Sequence, residues 1–145
     1  NKVPNNEKIL SENNLENCAK LAVENYFYNF DIYKLDQAAN EVLSLAISTN
    51  LYLNDNQPWV LIKEKDNLPL VKEIIYNVLE STRIIGLLLL PLLPELSSKI
   101  NEQLGSIYIE EIPWKQQLSW GLLVRNASLP KPTPIINKLE YDQHI

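Results

Sequence analysis

A chain of 145 residues with a formal charge of −5 is one domain of ordinary size. Its composition, 46% hydrophobic and 21% charged, supplies a real core and excludes a disordered chain. The acidic balance argues against a protein held on nucleic acid by a basic face, although it leaves room for a small site that reads a few bases by stacking.

Three glycines are too few for turn-rich β-architecture, and an apolar set dominated by Leu and Ile favours helices. The single Cys18 excludes an internal disulfide, and with His144 the only histidine there is no Cys/His metal cluster. No signal peptide is visible in the polar first ten residues. The most apolar run, Ile84–Leu93, is ten residues long, against roughly 20 for a membrane span, and reads as a buried core helix. A chain that begins with Asn1 and holds no methionine is expected to be a piece of a longer protein.

Asn1–Asn13 is polar and reads as a loop or extended lead-in. From Asn14, capped by Asn13 or Asn14, the residues Leu15, Cys18, Ala19, Ala22, Tyr26 and Phe30 share one face at helical spacing, and Asp31 can open the next element. A second helix is expected over Lys34–Leu53, with Leu35, Ala38, Ala39, Val42, Leu45, Ala46 and Thr49 as a stripe of small residues that lets a neighbour approach closely. The polar stretch Asn54–Gln57 ends it as a loop. Pro58 restricts the residue before it and suits a first helical position, so a short helix runs from Pro58 to about Lys65 and puts Trp59 in its first turn.

After a break at Asp66-Asn67, the pattern from Pro69 through Leu70, Ile74, Ile75, Val78, Leu79, Thr82, Ile85 and Gly86 predicts a helix to about Leu90. Pro91 and Pro94 stop it, another helix runs from near Pro94 to about Leu104, and Gly105 is placed as its C-terminal cap. Beyond Gly105, Trp114, Trp120 and Gly121 stand among polar residues, and Leu129–Pro134 is an extended strap. Ile135–Glu140 packs back on the bundle. The fold class is all-α: a polar lead-in over 1–13, a bundle of four or five helices over 14–104 and an irregular Pro-rich strap over 105–145.

No catalytic constellation is present: there is no Gly-rich phosphate loop, no G-x-S-x-G elbow and no H-E-x-x-H. Glu110-Glu111 and the scattered acids read as solvated surface. Trp59 is the one candidate for a binding function. A tryptophan in a helical protein more often packs into the core or its rim than serves a ligand. Here the polar loop beside it, and Asn50 and Tyr52 at the end of the preceding helix facing that loop, favour a flat ring offered to a ligand.

The order of motifs resembles the anticodon-binding domain of methionyl-tRNA synthetases, from about Asn14 to Glu140. It runs from Tyr26-Phe27-Tyr28, through Lys34–Ala38, to Asn50-Leu51-Tyr52 and Pro58-Trp59 ending in the basic Lys63. It continues with Arg83–Gly86, Leu90–Pro94, Gln103-Leu104-Gly105 and the Leu-Pro-x-Pro-x-Pro strap. The resemblance implies the helical bundle of class I synthetases. It implies tRNA(Met) as partner, with Trp59 stacking on anticodon bases, Pro58 fixing the ring, and Asn50 and Tyr52 as weaker candidates for polar contacts. It also implies a linked upstream catalytic domain that uses ATP and methionine, and a cytoplasmic location. The fragment itself is expected to be a folded, non-catalytic monomer with no cofactor, metal or membrane contact.

The departures are two. Ile135–Leu139 stands where the family has a Leu-Phe-Pro-Arg-Ile-like stretch, and the family's other anticodon contacts, an asparagine and an arginine, lie upstream of Asn1. Two alternatives remain at this stage: the equivalent domain of another class I synthetase, or a stand-alone helical protein-interaction module.

Overall fold

The computed structural model describes residues 2–3, 14–105 and 108–136. The expectations for His144, for an Asn13 cap and for residues 137–140 lie outside these. Five helices follow one another: α1 (Asn14–Asp31), α2 (Leu35–Asn56), the single turn α3 (Pro58–Leu61), α4 (Leu68–Leu89) and α5 (Pro94–Gln103). Short 3-10 turns cover Lys65–Asn67 and Trp114–Leu118. Among the described residues the one β pairing is an isolated antiparallel bridge between Lys2 and Ser128.

α1, α2 and α4 pack side by side because each carries an apolar stripe at helical spacing. The core joins Leu15, Ala19, Ala22 and Tyr26 of α1 to Ala38, Val42 and Leu45 of α2 and to Ile84, Leu87 and Leu88 of α4. Tyr33 turns the chain between α1 and α2 at a left-handed φ of 59°, and Lys34 N–H closes the turn on Asn29 O at 2.8 Å. Asp31 is thus the last residue of α1 and not the opening of α2. On α2, Leu35 and Ala39 are exposed, so the expected small-residue stripe is buried along only part of its width. Pro91 and Pro94 act as expected: α4 stops at Leu89, and Pro94 is the first residue of α5. Gly105 closes α5 at φ +83°, with Ser128 O only 3.3 Å from where a Cβ would stand.

Polar side chains bind the helices to one another. Thr49 and Ser81 hydroxyls meet at 2.6 Å between α2 and α4, and the Ser97 hydroxyl donates to Gly86 O at 2.7 Å between α5 and α4. The C-terminal strap is anchored at several points. Trp114 Nε1 donates to Leu87 O at 2.8 Å, while its ring meets Tyr26 and Phe27 edge-on. Gln103 and Thr133 exchange a reciprocal pair of hydrogen bonds, at 2.9 and 3.0 Å. Val3 pairs through its backbone with Ala127 and Asn126, and its side chain packs with Tyr76 and Leu123 in a second small core.

The acids do not all stand on the surface. Glu80 is fully buried, and Glu73 is nearly so. Glu80 forms a two-point pair with Arg83 on α4, at 2.9 and 2.7 Å. A buried carboxylate persists only where it is paired and hydrogen-bonded, and both conditions are met here.

Tyr26 yields a test of the core. Its hydroxyl donates to Leu88 O at 2.9 Å, and burial pushes its pKa up to about 12 from 10. A phenol whose folded value exceeds its unfolded value favours the folded state below pH 10, and that contribution is lost as pH rises toward 12. Wild-type protein is expected to lose about 2–3 kcal/mol of stability over that interval through this group. Tyr26→Phe, less stable at neutral pH, should show a flatter alkaline limb in denaturant titrations; equal slopes would remove Tyr26 as the cause.

Candidate anticodon-reading site

α2 does not stop at Leu53. It continues through the polar Asn54–Asn56 and ends on Gln57, whose N–H donates to Leu53 O at 3.1 Å. The Asn56 side chain donates back to Tyr52 O at 2.8 Å, which holds the last turn together. Gln57 then takes the left-handed conformation, φ 42° and ψ 59°, instead of the extended one usual before proline. Its carbonyl accepts from Val60 and Leu61 N–H at 2.9 and 3.2 Å, so one residue ends α2 and starts α3.

The outcome is a sharp, hydrogen-bonded corner. Pro58 is buried at the first position of α3, where its missing N–H costs nothing. Trp59 follows with 53% of its surface exposed. Val60 and Ile62 beside it are also exposed, as are Lys63 and Lys65. The acids Glu64 and Asp66 alternate with these lysines, so the corner offers a flat ring with no net basic field.

The other two candidates part company. Two residues apart on a continuous helix, Asn50 and Tyr52 stand about 200° apart around its axis. Asn50 is exposed on the outer side. Tyr52 is half-buried against α4, where its hydroxyl oxygen accepts from Asn77 Nδ2 at 3.0 Å. They do not face one common loop, as the sequence suggested. Burial pushes the Tyr52 phenol above its ordinary value; the Asn77 hydrogen bond pulls it back, and the Glu73 carboxylate raises it further. Asn77 is itself buried, and its Oδ1 has no hydrogen-bond partner among the described residues.

Gln57 was missed in the sequence. The Gln-Pro pair marks a helix boundary but does not signal a left-handed residue, and polar composition alone read the segment as loop. Gln57→Gly is expected to stabilise the fold by up to about 1 kcal/mol. Relief of left-handed strain, roughly 1–2 kcal/mol, exceeds the entropy glycine adds to the unfolded chain, roughly 0.5–1 kcal/mol. Chemical denaturation measures this, and a loss above 1 kcal/mol would show that the Gln57 side chain holds the corner by contacts of its own.

A mostly apolar hollow of about 210 Å³ lies elsewhere, between Arg83 of α4, Leu104 just after α5 and the strap residues Ile109, Ile112, Leu122 and Val124; none of the candidate site residues lines it. Among the described residues no group of three or more His, Cys, Asp or Glu side chains is arranged to hold a metal, and no helix is long and apolar enough to cross a membrane.

The candidate site is thus a half-exposed tryptophan at a helix corner of a helical bundle. Residues 3–144 match the family model described as the anticodon binding domain of methionyl tRNA ligase, and the chain belongs to that family. It is 32% identical to a methionine–tRNA ligase of Nostoc over an alignment of 145 positions that covers 97% of this chain and 27% of that one. It is 36% identical to the Synechocystis methionine–tRNA ligase over an alignment of 113 positions that covers 71% of this chain and 21% of the relative. The solved apo structure of Mycobacterium tuberculosis methionyl-tRNA synthetase superposes with a TM-score of 0.82 at 26% identity, covering 97% of this chain and 28% of that one. The same enzyme with methionyl-adenylate gives 0.81 at 27% identity, covering 94% and 27%. The chain therefore spans about a quarter of the length of the relatives it matches.

Proposed function

We propose that this chain, over residues 1–145, serves as the anticodon-reading domain of a methionine–tRNA ligase. The parent, through a catalytic domain upstream, activates methionine with ATP and transfers it to tRNA(Met) in the cytoplasm. Trp59 stacks on an unstacked base of the CAU anticodon, the way single-stranded bases in loops are commonly read. Pro58 and Gln57 hold the ring's position. Asn50 supplies a polar edge contact from the outer side of α2, and Tyr52 acts from beneath by fixing the end of α2 to α4.

The observation that carries this reading is a half-exposed tryptophan on a helix corner whose neighbouring proline is buried, in a chain of this family. A ring carried on a helix corner beside a buried proline starts from a defined backbone position, which lowers the ordering cost of binding. With a formal charge of −5, the domain contributes discrimination more than phosphate affinity.

The test is binding of a tRNA(Met) anticodon stem-loop to the full-length parent, against a stem-loop of the same stem with CAU permuted. Tighter binding of the CAU loop is expected; equal binding would remove the reading. The 145-residue chain itself should be a catalytically silent monomer, needing no cofactor. Methionine-dependent exchange of pyrophosphate into ATP, measured on the pure chain, should sit at background. Exchange abolished by a point change inside this chain would overturn the division of labour.

A further inference from the structure

Two hydrogen-bonded rungs cross the seam between α2 and α4. The Thr49 and Ser81 hydroxyls meet at 2.6 Å, and nearly one turn further along α2 the Asn77 Nδ2 donates to the Tyr52 hydroxyl at 3.0 Å. Residue numbers rise on α2 and fall on α4 from one rung to the next, so the two helices run antiparallel. Apolar packing is non-directional. A side-chain hydrogen bond has a direction, and it fixes how far one helix slides or rolls on the other. The Asn77 rung is the nearer of the two to the Trp59 corner.

Stability alone does not call for an asparagine at this position. Asn77 is 2% exposed, and its Oδ1 has no hydrogen-bond partner among the described residues. A buried amide with one end unpaired costs free energy that an aliphatic side chain does not. Ile74 and Ile84, three residues before it and seven after on the same face of α4, are both buried. A leucine at position 77 would continue that row. What Asn77 adds is the directed bond to Tyr52.

From Tyr52 the placement passes to the ring in short steps. Tyr52 O accepts from the Asn56 side chain at 2.8 Å. The next residue, Gln57, donates its N–H to Leu53 O, and its carbonyl accepts from Val60 and Leu61 N–H. Trp59 lies inside that last loop of bonds, beside the buried Pro58. We infer that Asn77 is a positioning residue: through the Tyr52 hydroxyl it sets the end of α2 against α4, and with it the placement of the Trp59 ring.

The test uses the full-length parent labelled with 5-fluorotryptophan, each fluorine resonance of interest being identified by its loss in the corresponding Trp→Phe variant. Without tRNA, Asn77→Leu is expected to shift or broaden the Trp59 resonance and leave those of Trp114 and Trp120 in place. An amide that only stabilises the bundle predicts otherwise: a lower melting temperature, with the Trp59 resonance of the folded protein unmoved. Tyr52→Phe, which removes the hydroxyl alone, should reproduce the effect and carries the test if Asn77→Leu does not fold. The double variant should move the resonance no further than either single one. A Trp59 resonance that stays unmoved, or that moves together with those of Trp114 and Trp120, would overturn the inference.

The consequence for recognition rests on the anticodon reading proposed above. The preference for a CAU stem-loop over a permuted one should fall by roughly threefold or more in Asn77→Leu, and no such fall should appear where Trp59→Ala is already present. Where wild type discriminates, an unchanged preference, or an equal fall in the Trp59→Ala background, would overturn the route from Asn77 through the ring. A moved resonance in a parent that binds both loops equally supports the positioning and removes the anticodon reading, so the two failures stay apart.

Discussion

Glu80→Ala is expected to destabilise the protein by about 3–5 kcal/mol, the usual cost of removing one partner of a buried ion pair. Glu80 is 0% exposed and Arg83 3% exposed. The Glu80 carboxylate accepts five hydrogen bonds: from Arg83 Nε and Nη2, and from the backbone N–H groups of Gly121, Leu122 and Leu123 at 2.7, 3.0 and 3.0 Å. Arg83 in turn donates Nη1 to Gln117 O and Nη2 to Ser119 O, the latter at 2.7 Å. One carboxylate–guanidinium pair on α4 therefore satisfies backbone groups of residues 119–123, which belong to no ladder or helix, and the Gln117 carbonyl of the short 3-10 turn. Alanine at position 80 would leave a buried cation and three buried or half-buried N–H groups without acceptors. For a domain of this size the melting temperature should fall by on the order of 10 °C.

Glu80→Gln distinguishes charge from shape. Glutamine keeps the length but offers one acceptor oxygen, and its amide hydrogens would point at other donors. It is expected to lose most of what alanine loses. The double change Glu80→Leu with Arg83→Met should cost less than the two single changes added, since no charge is then left buried and unpaired. Thermal melting of the four proteins closes the cycle. A Glu80→Ala protein within 1 kcal/mol of wild type would mean that the strap holds without this pair.

The helices could be read from the sequence because periodicity and proline report backbone and burial directly. Leu15, Ala19, Ala22 and Tyr26 stand where helical spacing put them, and Pro58 and Pro94 open the helices they were expected to open. Two kinds of feature resisted. The end of α2 was set three residues short because Asn54, Asp55 and Asn56 have the composition of a loop; the Asn56 side chain bonds back to Tyr52 O and sustains the helix. Glu80 was read with the other acids as surface because charge argues for exposure unless a partner is known. Glu80 and Arg83 have the i, i+3 spacing of a helical pair, but their decisive partners lie 34 to 43 residues away in an irregular segment. At the candidate site, Trp59 and Pro58 were legible as a pair from the order of polar loop, proline and ring. The divergence of Asn50 from Tyr52 was not, since it follows from how far α2 continues.

Trp59→Ala in the full-length ligase is expected to weaken tRNA recognition by about 1–3 kcal/mol, the range for loss of one base–aromatic stack. That is roughly a 5- to 150-fold fall in kcat/KM for tRNA. Activation of methionine, which needs no tRNA, should be nearly unchanged. Folding separates this outcome from a packing role. A core Trp→Ala change costs about 3–5 kcal/mol, whereas a ring 53% exposed on a corner held by Pro58 and Gln57 contributes far less to the core. The melting temperature of Trp59→Ala should therefore stay close to wild type while charging falls. Trp59→Phe should recover part of the recognition, because stacking needs a flat ring more than an indole N–H. A collapsed melting temperature, or a normal kcat/KM for tRNA, would remove Trp59 from the site. If both recognition and stability survive, the exposed ring together with Val60 and Ile62 would instead be assigned to a protein contact.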